Sequence, residues 1–312
     1  MKALKITALI AGAVFFLALA GGIVLGVAGA GDGLRGLIDD IRSAETGLYH
    51  TVSDDRTATL EGIDRIRVEA GDADIVIRRS ERGDAGIHLT TDGADPEDTL
   101  RISSEDGALR LKVQSPRRWW FFGFLRRRVT AELTLPSNWR GALTVAAGAG
   151  ELRLEGEHAF TRLDLDVAAA DARLDTVTAD AVGVNIGAGR LTADSLSAGS
   201  LKLEVGAGEA RLGGLTGSVD ASIGAGDAAL TFDRLSAAVT VDVSMGSATL
   251  RLPADTGASL LLKASLGSVK QRFGDRFSGT EKEGRVDGIL NEPGPSIRGD
   301  VHMGDLKVEP RS

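Results

Sequence analysis

The chain has 312 residues, no cysteine and a formal net charge of −8. Lack of cysteine excludes disulfides, thiolate catalysis, Cys-ligated zinc and lipidation at an N-terminal Cys. The acidic balance excludes a general nucleic-acid binder, which needs a basic face against phosphates. With 41 glycines and only 4% aromatic residues, any core must be thin and built from Val, Leu, Ile and Ala.

Lys2 and Lys5 precede Ile6–Gly31, a run without a single charge. As a helix it spans roughly 39 Å, more than the ~30 Å hydrocarbon core of a bilayer. Asp32, Asp39 and Asp40 follow. The positive-inside rule then puts the N-terminus in the cytoplasm and the rest outside. A cleaved signal peptide, cut after Ala18-Leu19-Ala20 or Ala28-Gly29-Ala30, is the rival reading. The length of the run favours an uncleaved single-pass anchor over residues 1–31; if it is cleaved, the remainder is secreted. Residues 32–59 form a juxtamembrane linker, in which Leu34, Leu37, Ile38 and Ile41 have the spacing of a short amphipathic helix.

From Leu143 onward one pattern recurs, as in LTVAAGAGELRL, LDLDVAAADARL, VGVNIGAGRLTA, LKLEVGAGEARL, VDASIGAGDAAL, VTVDVSMGSATL, LLLKASLGSVKQ and IRGDVHMGDLKV. Gly148, Ala168, Gly187, Gly206, Gly224, Ser244, Ser265 and His302 mark one column of a repeat of about nineteen residues. Leu201, Leu203, Val205 and Ala207 alternate with polar or glycine positions, the period of a strand with one buried face. After Gly208 the apolar positions become Ala210 and Leu212, a parity flip that a corner would produce. Two short strands per coil, each pairing with the next coil, make an all-β, β-helix-like solenoid over residues 141–312.

Residues 60–140 read as a less regular β part with a hairpin cap for the first rung. Arg65–Ile77 is a further copy there, with Asp72 in place of an inward alanine. The charged stretch Gly274–Pro295 reads as an excursion before a last coil at IRGDVHMGDLKV.

The small residue, glycine, polar and apolar residue that recur at Gly150-Glu151-Leu152, Gly189-Arg190-Leu191, Gly208-Glu209-Ala210, Gly226-Asp227-Ala228 and Gly304-Asp305-Leu306 carry a resemblance. With Ala73-Asp74-Ile75 they resemble a bacterial adhesin-like β-strand-repeat family, a domain of unknown function. The likeness covers about residues 60–309. It implies a solenoid, an N-terminal membrane helix and a surface location, and it brings no catalytic or binding residues with it.

His50, His88, His158 and His302 are far apart and lack metal-ligand spacing; no nucleophile sits in a recognisable elbow. No cofactor is expected. The outward column Glu151, Asp171, Arg190, Glu209, Asp227, Ser247, Ser268 and Asp305 is broken by an arginine, which speaks against a calcium ladder. Arg153, Arg173, Arg211, Lys270 and Lys307, two residues further on, offset the stacked acids. Arg298-Gly299-Asp300 spells a cell-attachment tripeptide, but its parity places it within a strand.

Pro116–Arg128, PRRWWFFGFLRRR, stands apart. Trp119, Trp120, Phe121, Phe122 and Phe124 lie among Arg117, Arg118, Arg126, Arg127 and Arg128 in an otherwise acidic chain. Rings flanked by guanidiniums suit an anionic lipid headgroup interface, an envelope polymer or another partner; rings that simply cover the solenoid end are the alternative. The sequence therefore points to a non-enzymatic, membrane-tethered, extracytoplasmic surface protein acting as an adhesion, scaffold or envelope-sensing module. A self-assembling structural solenoid and a carbohydrate-active β-helix enzyme are the competing readings.

Overall fold

The computed structural model describes residues 51–81, 83–92, 96–114 and 129–311. The N-terminal anchor, the amphipathic linker helix and Pro116–Arg128 lie outside the described residues. Among the described residues no helix is long and apolar enough to cross a membrane.

In chain order the first strands are β1 (Thr51–Ala58), β2 (Arg65–Asp72), β3 (Asp74–Ser80), β4 (Ala85–Asp92), β5 (Leu100–Glu105), β6 (Ala108–Val113) and β7 (Val129–Pro136). They are followed by β8 (Ala142–Ala149), β9 (Glu151–Val167), β10 (Asp171–Ile186), β11 (Arg190–Val205), β12 (Glu209–Ile223), β13 (Asp227–Phe232) and β14 (Val239–Val243). The last are β15 (Ser247–Leu252), β16 (Ala258–Ala264), β17 (Ser268–Gln271), β18 (Phe277–Lys282), β19 (Arg285–Leu290), β20 (Ser296–Val301) and β21 (Asp305–Pro310).

Stacking in register explains the repeat. Val184 of β10 lies between Leu165 of β9 and Leu203 of β11, and all three are buried. Equivalent aliphatic residues thus pile up in inward columns, and each strand is held by parallel ladders on both sides. A long series of parallel strands is stable only if its inner face is continuous and apolar, and the columns supply that.

The long strands β9 to β12 bend and serve more than one side of the coil. Beside the two expected sides they form a third, where Val177 pairs with His158 and with Leu196, and Leu215 pairs with Phe232. The expectation of two strands per coil is therefore corrected to three sides in the central coils. The third side escaped the repeat pattern because its inward residues differ in chemistry from coil to coil.

Stack order departs from chain order at both ends. β2 and β3 lie between the coil of β6 and β7 and the coil of β8 and β9. β20 and β21 likewise lie between β14 with β15 and β16 with β17. The coil at 296–310 is thus the last in sequence but not in space. The outermost coils are closed by antiparallel strands: β5 on β6, β4 with β1 on β7, and β19 with β18 on β16. The excursion 274–295 therefore supplies a second cap, over the outer edge of β16.

The corner also differs from the sequence expectation. Val205 and Gly208 are buried whereas Gly206 and Ala207 are exposed. The flip in parity falls between Gly206 and Ala207, so the alanine column faces solvent, while Gly208, Gly226 and Gly304 face inward. Asp72, exposed, is an ordinary member of that outward column, paired with Ala149.

Candidate interaction surface

The outward charges pair with one another. Arg190, the residue that breaks the acidic column, reaches Glu209 at 3.0 Å and Asp171 at 3.9 Å on the adjacent coils. Arg153 binds Glu151 through two nitrogens at 2.7 Å each, and Arg211 also pairs with Glu209. Arg78 joins Glu132 and Glu155, both at 2.8 Å. Exposed pairs such as these are screened by solvent and add little stability, so they relieve repulsion between stacked charges more than they build a site.

The histidines are dispersed, and His50 lies outside the described residues. His158 is buried in the third-side column, stacked on Phe160 at 5.7 Å, with Nε2 3.0 Å from the Glu155 carbonyl. Trp139 meets the far side of that cluster edge-on and donates its indole N–H to the Ile63 carbonyl at 3.0 Å. Burial pushes the His158 imidazole below its ordinary range, against the raising effect of its carbonyl contact. The unfolded chain therefore takes up the proton first. The stability owed to the neutral ring is complete above the free-histidine value of about 6.5 and is lost as pH falls below it. Between pH 7 and pH 5 the wild type should lose more stability in urea titrations than His158→Phe; parallel slopes would contradict this assignment.

His88 makes a constellation that the sequence did not reveal. Its Nδ1 lies 2.6 Å from Asp55 Oδ1, and its Nε2 lies 3.3 Å from Thr90 Oγ1. The order hydroxyl, imidazole, carboxylate is that of an acyl-transfer triad. Yet β4 is paired on both edges, to β1 and to β7, so its backbone N–H groups are occupied by ladders and offer no oxyanion hole. His88 and Asp55 are also largely exposed. The group is a cross-strand polar pairing, readable only once β1 is known to lie against β4.

Among the described residues no three His, Asp or Glu side chains are grouped to hold a metal. A concavity of about 970 Å³ is an open cleft at the N-terminal end lined by Leu60, Asp64, Arg65, Trp139 and Arg162. Arg298 and Asp300 point outward from β20, which is bound on both edges, while Gly299 faces the core. The tripeptide is thus fixed in mid-sheet, as its parity indicates.

The chain leaves the described residues after Gln114 and returns at Val129. Val113 and Thr130 align with Ala70 and Asp74, the residues that flank the corner of the neighbouring coil. Pro116–Arg128 itself lies outside the described residues. At the other end of that same edge the alanine column changes character. Met245, Met303 and Leu266 occupy it on three successive coils, at 60%, 54% and 70% exposure. The sequence reading missed this ridge because it took the column as inward.

Comparison with known proteins gives the fold a context. No curated protein matches the chain. The structure is similar to that of an adhesin candidate from Bacteroides fragilis, with a TM-score of 0.52 at 15% identity, over 83% of this chain and 97% of the other. It is also similar to an adhesin candidate from Parabacteroides distasonis, with a TM-score of 0.47 at 14% identity, over 84% and 98% of the two chains. A lipid-binding candidate from Parabacteroides distasonis gives a TM-score of 0.40 at 15% identity, over 83% and 97%. At such identities the likeness concerns the fold alone. The family pattern of the Toastrack DUF4097 domain matches residues 63–309, the whole stack from β2 to β21; the chain belongs to that family.

Proposed function

We propose that this protein is a non-catalytic module of the bacterial cell surface, in which the solenoid is held outside the membrane by residues 6–31 and serves adhesion, scaffolding or envelope sensing. The observation that carries this reading is the character of the long faces. Charges on them pair between neighbouring coils, as at Arg190 and Arg78, and the stacked strands make the surface a rigid, repetitive platform. A stack of parallel ladders also suits a rigid spacer, because each coil is fixed by the coils beside it. The uncharged run Ile6–Gly31, with lysines before it and aspartates after it, supports the tether and its orientation. The similarity in fold to the Bacteroides fragilis adhesin candidate agrees with a surface role.

Membrane fractionation tests the tether. The full-length chain should stay with membranes through a high-salt wash, which strips electrostatic attachment, whereas a chain lacking residues 1–31 should not be retained. Release of the full-length product into the medium would show a cleaved export signal in place of an anchor.

A further inference from the structure

The outermost strand at the N-terminal end, β1, keeps one edge bare. Its register with β4 runs unbroken from Thr51 to Ala58, and among the described residues no strand lies on its other side. In such a ladder every second residue turns its N–H and C=O away from the partner, so β1 presents a row of unmet groups. β1 also projects. Two strands, β4 and β1, are added to β7, but only β5 to β6 of the same coil, so the β5 edge stands one strand further back. Lysine, proline, glycine and bulges, which commonly blunt such edges, are absent from TVSDDRTA. Val52 on this strand is exposed.

What β1 does carry is a run of charges, Asp54, Asp55 and Arg56. Asp54 and Arg56 share one face and pair at 2.7 Å; Asp55 is on the other, 2.6 Å from His88 Nδ1. Such charges repel a stray strand, yet they fit β1 itself. When two copies of a strand meet antiparallel about a two-fold axis, like faces coincide only if the axis passes beside a residue. Two such registers keep nearly the whole of β1 paired. Centred on Asp55, the register sets Asp54 against the second copy's Arg56, Val52 against its Ala58 and Ser53 against its Thr57. Centred on Asp54, it sets Asp54 against Asp54 and Val52 against Arg56. Each brings one acid against its own copy, but only the first gains pairs of opposite charge. The other ionisable groups nearby are His88 and Asp92 on β4, and Glu97 and Asp98 on the one-turn helix Pro96–Thr99 that touches β1 and β4. They keep to their own half of the joint in either register, so the choice falls to β1.

We propose that β1 is a self-association edge: the β1 strands of two copies add antiparallel, in the register centred on Asp55, and join two stacks end to end through one continuous sheet. Asp54 and Arg56 of both copies then form a network of alternating charge, in which each acid meets a guanidinium of its own chain and one of the other. The contact is the same from both sides and uses up the bare edge, so it stops at a dimer. Asp55 against Asp55 is its one repulsive pair, and neutralising that residue should tighten the joint.

The purified full-length chain in neutral-detergent micelles serves for the test, so the result does not depend on which side of the membrane the stack occupies. The chain has no cysteine of its own. Directly opposed residues hold their Cα atoms about 4.5–5.5 Å apart, within disulfide reach. Under mild oxidation Asp55→Cys should crosslink to itself, and Ser53→Cys to Thr57→Cys, whereas Thr57→Cys alone should give no dimer. Asp54→Arg and Arg56→Asp should each raise the dimer dissociation constant about tenfold or more. Mixing those two chains should restore a heterodimer, which a folding defect would not allow. Asp55→Asn should lower the constant. A monomeric mass at micromolar concentration with no Asp55→Cys product would overturn the proposal. So would a Thr57→Cys self-crosslink, which reports another register, or mixed Asp54→Arg and Arg56→Asp chains that stay apart.

Discussion

Phe232→Ala should destabilise the solenoid by about 3–5 kcal/mol, the range for emptying a buried aromatic site. Phe232 is fully buried and heads the largest enclosed side chains of the core. It ends β13 in register with Leu215, where the third side of the coil gives way to the shortcut 233–238. Alanine leaves a cavity that ladders on both sides prevent from collapsing, whereas Phe232→Leu keeps most of the volume and should cost far less. Urea denaturation of the two variants measures the difference. An alanine variant as stable as the wild type would mean that the third side does not close over this residue.

Gly208→Val should also be costly, on the order of 1–3 kcal/mol or more. Gly208 faces inward at the corner, and its backbone does not require a positive φ. The constraint is crowding. A Cβ there would collide with the Gly189 carbonyl oxygen of the adjacent coil and come within 2.7 Å of Ile186 Cγ2. That oxygen cannot retreat easily, because it accepts from the Glu209 N–H at 3.0 Å. Gly206, on the outside of the same corner, would bring a Cβ to 2.8 Å from the Gly187 oxygen. Ala168 and Ser244 fill the equivalent positions of other coils, so Gly206→Ala should cost a few tenths to about 1 kcal/mol. Equal melting temperatures for Gly208→Val and Gly206→Ala would contradict the assignment of inward and outward corner residues.

Much of this architecture was legible because burial imposes a period of two and stacking imposes a period near nineteen. Leu201, Leu203 and Val205 read correctly as inward, and Ala210 and Leu212 confirm the second side. The corner misled because glycine and alanine carry almost no hydropathy contrast. With Gly206, Ala207 and Gly208 in a row, alternation continued one residue too far and hid the ridge of Met245, Met303 and Leu266. Stack order was illegible for a different reason: a repeat shows which segments are equivalent, not which are adjacent. Ser265 precedes His302 in sequence, yet His302 donates to the Val243 carbonyl and Ser265 to that of Val301. The His88–Asp55 pairing was hidden likewise, since it depends on β1 lying antiparallel to β4.

The account stands on the solenoid lying outside the membrane, and protease shaving of intact cells tests that most directly. A tag placed after Ser312 should be removed by protease added to whole cells or protoplasts, while a cytoplasmic marker survives. A tag that resists until the membrane is broken would place the stack inside the cell and contradict the account.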